Sequence, residues 1–172
     1  MRFWKSILLF FFIGLFSGIS QLSKIHYIPP LAYAVDAGST PNRGQYLYIS
    51  TPSASAVNVV ITPIGGAPQA VAITNASPYR YEIQGSPGAG PSQAMLPANN
   101  SNQTGRVHVD KGYIIQAVES EVYVALRTIG GGGLQAGALV SKGGAALGTQ
   151  FRAGMYTSYS PSAAFVSFIS VM

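Results

Sequence analysis

Very few side chains of this sequence have the chemistry that catalysis or metal binding needs. The 172 residues include five Asp or Glu, two His and no Cys. Without Cys there is no disulfide, no thiolate metal ligand, no Cys nucleophile and no site for acylation of a Cys. His26 and His108 are far apart, and His108 alternates with Val107 and Val109 in a predicted strand, on the side that faces solvent. We therefore predict no metal site.

The closest pair of carboxylates is also poorly placed for catalysis. Glu119 and Glu121 are two residues apart in a predicted hairpin turn. Glycosidases hold their two carboxyl groups about 5–9.5 Å apart across a cleft, and neighbours beside a turn do not create one. The sequence also lacks the motifs G-x-x-x-x-G-K-[ST], G-x-S-x-G and H-E-x-x-H. We predict that the protein is not an enzyme and has no catalytic residues.

Two further patterns are too weak to indicate a cofactor or a nucleic acid. Residues 131–136, GGGLQA, fit G-x-G-x-x-A, but a dinucleotide fold needs a following helix and an acidic residue about 20 positions later. No Asp or Glu follows Glu121, so we interpret this stretch as a flexible hinge. Arg127, Lys142 and Arg152 are the bases after that point, too sparse for a nucleic-acid surface. The sequence therefore predicts no cofactor and no nucleic-acid partner.

The N-terminus has the layout of a secretory signal peptide. Arg2 and Lys5 give a positive start, residues 6–19 are an apolar run, and the small Ser20 ends it. This pattern predicts cleavage between Ser20 and Gln21. The alternative, an uncleaved transmembrane anchor, needs about 20 apolar residues, more than this run provides. We predict export across the inner membrane, with membrane contact only through the transient signal peptide.

The rest of the chain alternates in polarity in the manner of β-strands. Turn signals separate short apolar-alternating runs at the spacing typical of sandwiches and barrels. The runs cover residues 45–50, 57–62, 70–74, 79–84, 106–110, 113–118, 121–128, 151–156 and 164–172. We find no helical pattern of about ten residues or more after residue 20. The sequence predicts an all-β fold, an antiparallel β-sandwich of the immunoglobulin-like or a related type.

The strand at residues 121–128 gives the clearest prediction of burial. Val122, Val124 and Leu126 are expected to face the core, because side chains two apart along a strand lie on one face. Tyr123 and Arg127 are expected to face outwards.

Composition divides the chain into parts. Residues 1–20 are the signal peptide, residues 21–44 an extended lead-in, and residues 45–163 the sandwich. Residues 85–105, polar and rich in Gly and Pro, are interpreted as a flexible loop within it. Residues 164–172 are interpreted as the first strand of an incomplete second module. That strand has no charge and no Pro, so an unpaired edge there predicts self-association.

Several of these segments resemble a known family. The stretch QLSKIHYIPPLAYA at residues 21–34 is similar to the start of large exported proteins of gliding Bacteroidetes. The motif QAGALVSKG at residues 135–143, followed by ALGTQFRAG at residues 146–154, resembles bacterial relatives of the IgGFc-binding protein N-terminal domain. The resemblance extends over residues 21–172, apart from residues 85–105.

This resemblance implies an extracellular β-rich module near the N-terminus of a longer surface protein. Such proteins are associated with gliding motility and type IX secretion, and the resemblance implies that this chain is an N-terminal fragment of one. In the full-length protein it would be associated with the outer membrane. The family brings no catalytic residues that could be carried over.

We therefore expect a non-catalytic structural or adhesive role at the cell surface, with a protein or a polysaccharide as partner. The tyrosines, ten in the chain, and residues 85–105 are the expected contact elements. Two alternatives stay open. A carbohydrate-binding module would show coplanar exposed tyrosines on one sheet face. A fragment of a secreted enzyme, without its catalytic part, would show a carboxylate cluster in a cleft.

Overall fold

The computed structural model describes residues 21–33, 44–84, 92–97, 107–129 and 136–150, and these form ten strands and one short 3₁₀ turn. The predicted signal peptide and the runs at residues 151–156 and 164–172 lie outside the described residues. The strands are β1 (Ile25–Ile28), β2 (Leu31–Tyr33), β3 (Gln45–Ser50), β4 (Val57–Pro63), β5 (Gln69–Ile73), β6 (Tyr79–Gln84), β7 (Met95–Pro97), β8 (Tyr113–Ala117), β9 (Tyr123–Ile129) and β10 (Ala136–Val140); the 3₁₀ turn is Gly143–Ala146.

The strands form two antiparallel sheets of four, which confirms the predicted all-β sandwich. The first sheet has the order β1-β8-β4-β5 and the second the order β10-β9-β3-β6. A small parallel pair, β2 with β7, lies beside them. Within the described part of the chain, no helix is long and apolar enough to cross a membrane.

The core lies between the two sheets and follows from the alternation of each strand. Val122, Val124 and Leu126, which were expected to point inwards, are fully buried, whereas the outward Tyr123 and Arg127 are not. In β4 the alternation likewise buries Val57, Val59 and Ile61. The buried apolar residues are Ile28, Leu47, Ile49, Val57, Val59, Ile61, Ile73, Ala94, Met95, Tyr113, Ile115, Ala117, Val122, Val124 and Leu126. Branched aliphatic side chains dominate this set because they pack well on a pleated surface.

The connections β3-β4, β5-β6 and β8-β9 run directly from one four-stranded sheet to the other, and the path through β2 or β7 joins the two sheets elsewhere. The hairpins β4-β5 and β9-β10 are the exceptions, since each joins neighbours in one sheet. The turn that carries Glu119 and Glu121 was expected to close a hairpin, and this was wrong. It leads from β8 in the first sheet to β9 in the second. The side chains of β8 and β9 therefore meet across the core rather than along one sheet.

Three local predictions are corrected by the structure. The sandwich starts earlier than the predicted Gln45, because β1 is the edge strand of the first sheet and pairs with β8. The expected flexible loop at residues 85–105 contains β7, and its Met95 is buried. Residues 107–110 form no strand, and Val107 and Val109 are 86% and 83% exposed. None of the described strands pairs with these residues, so their alternation does not place either valine in the core.

A polar contact chain explains why β7 is docked. Gln45 faces inwards at the start of β3 and is fully buried. Its Nε2 donates to Oε1 of Gln84 at 3.1 Å, and its Oε1 accepts a hydrogen bond from the Ser92 hydroxyl. The Ser92 hydroxyl also accepts the backbone N–H of Ala94 at 3.0 Å. These bonds satisfy a buried amide, which would otherwise carry a desolvation cost, and they hold the segment before β7 on the second sheet.

Candidate functional site

The outer face of the second sheet carries an unusual set of side chains. Because inward and outward positions alternate, β3, β6 and β9 each send polar or aromatic side chains away from the core. We call this surface the tyrosine–arginine face and define it as Tyr46, Tyr48, Arg80, Tyr123 and Arg127. Both arginines among the described residues lie on it.

Strand register brings these residues together. On β3, Tyr46 lies opposite Arg127 of β9 on one side and opposite Glu82 of β6 on the other. The next outward residue, Tyr48, lies opposite Arg80. Directly opposed side chains on antiparallel strands have Cβ atoms about 4.5–5.5 Å apart. The two tyrosines are therefore flanked by arginines from two different strands.

Arg80 is positioned by an aromatic ring. Its guanidinium carbon lies 4.9 Å from the centroid of the Tyr46 ring. A cation within about 6 Å of a ring face is attracted to the electrons of the ring. Tyr46 and Tyr48 have ring centroids 6.3 Å apart with planes tilted by 58°. The two rings therefore do not form one flat platform.

A glycine makes room for the Tyr46 ring. Gly44 has φ of +124°, a backbone conformation that disfavours any side chain. A Cβ built at this position would lie 2.6 Å from Cζ of Tyr46. The ring thus rests against the bare backbone of Gly44 while Arg80 lies over it. This arrangement fixes the ring and, through it, the guanidinium.

The face keeps a local excess of positive charge. Neither Arg80 nor Arg127 forms an ion pair with another described residue, and Glu82 is the acidic side chain beside them. Both arginines are exposed, and Tyr48 is 38% exposed. Ser50, the next outward residue after Tyr48 on β3, lies opposite Tyr123. Charged and aromatic groups are therefore accessible to a partner on this face.

His26 is placed away from this face and has a structural role. It points into the core from β1 and is fully buried. Its Nε2 donates to the Val122 carbonyl at 2.8 Å and lies 3.2 Å from the Ser23 carbonyl, while Nδ1 has no partner among the described residues. Burial lowers the pKa of His26, although its two backbone partners act in the opposite direction. A neutral, enclosed imidazole of this kind links β1 to the start of β9.

Glu119 and Glu121 do not act as a pair. Glu119 accepts the backbone N–H of Asn58 at 2.7 Å and its side-chain Nδ2 at 2.6 Å. These bonds from Asn58 lower the pKa of the Glu119 carboxyl. Glu121 is exposed beside β9. No group of three or more His, Asp or Glu that could hold a metal occurs in the described ranges of the chain.

The described tyrosines are distributed over several environments. Tyr27 points outwards from the first sheet, whereas Tyr79 and Tyr81 pack against the core. Tyr81 meets the buried Tyr113 with ring centroids 5.8 Å apart and planes at 70°. Burial raises the pKa of Tyr113 well above its ordinary range. The tyrosines are therefore in part core residues, and three of those described contribute to one outer face.

The sequence predicted some members of the tyrosine–arginine face and missed others. Tyr123 and Arg127 were expected to face outwards, and this is confirmed. Arg80 was not singled out, although its place between Tyr79 and Tyr81 in an alternating run indicates an outward side chain. The predicted cleavage site has Gln21 at the edge of the described residues and Ser20 outside them. Most of the glycine stretch at residues 131–136 also lies outside.

Comparison of the chain with protein-family models, with curated proteins and with solved structures finds no match.

Proposed function

We propose that this chain is an exported, non-catalytic β-sandwich module that binds a partner at the cell surface, in the manner of the bacterial relatives of the IgGFc-binding N-terminal domain. The observation that carries the proposal is the tyrosine–arginine face. It concentrates two arginines and three tyrosines on one open side of the sandwich. The signal-peptide pattern at residues 1–20 and the segments at residues 135–154 support export and the family assignment.

The side chains on this face are those that protein interfaces favour. Tyr and Arg are enriched at interface centres because each combines apolar contact area with directional hydrogen bonding. Arg80 is already held by Tyr46, so little of its conformational freedom is lost when a partner binds. Elsewhere in the described part of the chain, the titratable groups with clear partners serve the fold. His26 and Glu119 are examples.

The geometry favours a protein partner over a flat sugar surface. Stacking of a polysaccharide on two tyrosines requires rings that lie near one plane, and Tyr46 and Tyr48 are tilted by 58°. In addition, Gly44 and Arg80 enclose the Tyr46 ring. A structural or adhesive module that contacts protein is therefore the function that we propose, and the carbohydrate-binding module remains the competing hypothesis that the experiment must address.

Expression of the full chain in an export-competent gliding bacterium tests the first half of the proposal. We expect an exported product that begins at Gln21, as N-terminal sequencing of the extracellular fraction would show. A surface or secreted product that still carries Arg2 and Lys5 would contradict cleavage between Ser20 and Gln21.

Retention of the exported chain on cell envelopes tests the second half. We expect the double variant Tyr48→Ala/Arg80→Ala to be retained much less than the original chain. A matched double variant on the opposite outer face, Tyr27→Ala/Gln116→Ala, should be retained normally if its melting temperature is comparable. Equal retention of both variants would show that the tyrosine–arginine face is not the binding surface.

A further inference from the structure

We propose that the tyrosine–arginine face docks a carboxylate-rich segment of a partner protein, with Arg80 and Arg127 binding its carboxylates and Tyr48 packing beside them. This inference rests on the proposed binding function and names the chemistry of the partner.

The position of Arg80 is the first argument. A guanidinium that lies over an aromatic ring uses its flat face and leaves its N–H edge directed to the side. That edge is the part of Arg that forms two parallel hydrogen bonds to a carboxylate. Arg80 lies over Tyr46 and makes no ion pair with a described residue. It therefore presents an oriented, solvent-exposed donor group that can bind an acceptor on a partner.

The position of Arg127 is the second argument. Arg127 and Arg80 extend from strands on either side of β3 and lie opposite Tyr46 and Tyr48, so their backbones are offset by about 10 Å across the sheet and about 7 Å along it. Tyr46 and Tyr48 lie between them. A segment that crosses β3 would place one carboxylate at each arginine and an apolar group over Tyr48. Charge at two separated points, rather than at one, selects for a segment with more than one carboxylate.

The position of Glu82 restricts how such a segment can bind. Glu82 lies opposite Tyr46 on β6, the edge strand of this sheet. A partner carboxylate near it would be repelled, so the carboxylates are directed towards Arg127 and the side of Arg80 that faces Tyr48. Repulsion between like charges that disfavours the wrong binding register is a common source of specificity.

The contrast with the other outer face is the third argument. The outward positions of the first sheet hold no charged side chain in any of its described strands. They are Ile25, Tyr27, Asn58, Val60, Thr62, Ala70, Ala72, Ile114 and Gln116. Charge complementarity therefore restricts an acidic partner to one side of the sandwich.

The experiment measures binding of the full, exported chain to three immobilised polymers by surface plasmon resonance. Poly-L-glutamate represents an acidic protein segment, polygalacturonate an acidic polysaccharide, and dextran a neutral one. We expect binding to poly-L-glutamate that weakens as salt is raised, because screening reduces attraction between exposed charges. The double variant Arg80→Gln/Arg127→Gln should bind about tenfold more weakly, the combined effect of two exposed ion pairs.

The matched control is Lys24→Gln/Lys111→Gln, which lowers the net charge by the same amount beside the first sheet, since Lys24 precedes β1 and Lys111 precedes β8. It should bind poly-L-glutamate like the original chain. Equal weakening in both double variants would overturn the proposal, because net charge alone would then explain binding. Stronger binding to polygalacturonate than to poly-L-glutamate would also overturn it in favour of a polysaccharide. Absence of poly-L-glutamate binding, with envelope retention still lost in Tyr48→Ala/Arg80→Ala, would overturn the acidic partner and leave the proposed function in place.

Discussion

The two outer faces of the sandwich differ although the sheets behind them are built alike. Both sheets have four antiparallel strands and share one apolar core. The outer face of the first sheet has half-buried aliphatic residues near its middle, such as Val60 and Ile114, and no charged side chain in any described strand. The outer face of the second sheet carries two arginines, three tyrosines and Glu82.

The difference lies in the outward positions, where the fold restricts the choice of residue least. Inward positions are restricted in both sheets because they fill one core. Outward positions are restricted only by strand propensity, which Val, Ile, Thr and Tyr all satisfy. In the first sheet the outward positions hold uncharged residues, several of which, such as Val60 and Ile114, have high strand propensity. In the second sheet they place Tyr46, Arg80 and Arg127 in register, an arrangement that strand formation alone does not require.

Two glycines at positive φ, Gly44 before β3 and Gly65 after β4, should differ most strongly in their sensitivity to substitution. Gly44→Ala should lower the free energy of unfolding by about 2 kcal/mol, because φ is positive there and a Cβ would collide with the Tyr46 ring. Gly65→Ala follows β4 of the first sheet, also at positive φ, but its Cβ would have no heavy atom within 4 Å. Urea unfolding should show the smaller loss for Gly65→Ala. Equal losses would show that the Tyr46 ring does not depend on Gly44.

The next effect concerns pH and depends on His26 of β1 in the first sheet. Burial lowers the pKa of His26 in the folded chain, so the unfolded chain takes up the proton more readily. Stability should therefore be constant above pH about 6.5 and decrease as the pH falls below it, until the folded protein also binds the proton. The groups near it from other elements are the Val122 carbonyl and Gly143, with no carboxylate in described contact. Urea unfolding from pH 5 to pH 8 measures the slope.

The control for His26 is the second histidine. His26→Gln retains a donor for the Val122 carbonyl and should remove the decrease in stability at low pH. His108→Gln changes an exposed residue outside the strands and should keep that decrease. If His108→Gln, and not His26→Gln, removes the decrease in stability at low pH, then protonation of His26 is not its cause.

A smaller effect tests whether Tyr46 positions Arg80 on the second face. A double-mutant cycle with Tyr46→Leu and Arg80→Ala should give a coupling energy of about 0.5–1 kcal/mol, the range for an exposed cation over an aromatic ring. The matched cycle with Tyr48→Leu in place of Tyr46→Leu should give less, because the guanidinium lies over Tyr46. Thermal or urea unfolding of the five variants and the original chain provides both values. A larger coupling to Tyr48 would place the guanidinium over the other ring.

The sequence predicted the strands whose side chains alternate strongly in polarity. It failed for segments whose structure depends on contacts with residues distant in sequence. The runs that became β3, β4, β5, β6, β8 and β9 were recognised, because their apolar residues recur at every second position. β1 was missed because the core position is occupied by His26, a polar residue whose burial depends on the Val122 carbonyl. A strand was also predicted at residues 106–110 from their alternation. That prediction was wrong, since residues 107–110 form no strand and Val107 and Val109 are exposed.

The candidate face could be predicted only in part, for a similar reason. Alternation along one strand shows that Tyr46 and Tyr48 share a side, and that Tyr123 and Arg127 share a side. It does not show that β3 lies between β6 and β9, which are far apart in sequence. The contact of Arg80 with Tyr46 depends on that non-local pairing. The sequence therefore contains the residues of the face, whereas their arrangement follows from sheet topology.

The weakest change in stability is expected for Glu119, beside the first sheet, which accepts two hydrogen bonds from Asn58 of β4. These bonds lower the pKa of the Glu119 carboxyl, so its contribution to stability is present above the ordinary Glu pKa of about 4.3 and is lost as the pH falls through the folded value. The effect is small because the carboxyl is fully exposed to solvent. Glu119→Gln should shift the Asn58 amide proton resonance and reduce stability slightly at neutral pH, whereas Glu121→Gln removes the same charge and should leave that resonance unchanged. An Asn58 resonance that responds equally to both substitutions would mean that charge, and not the two hydrogen bonds, links this connection to β4.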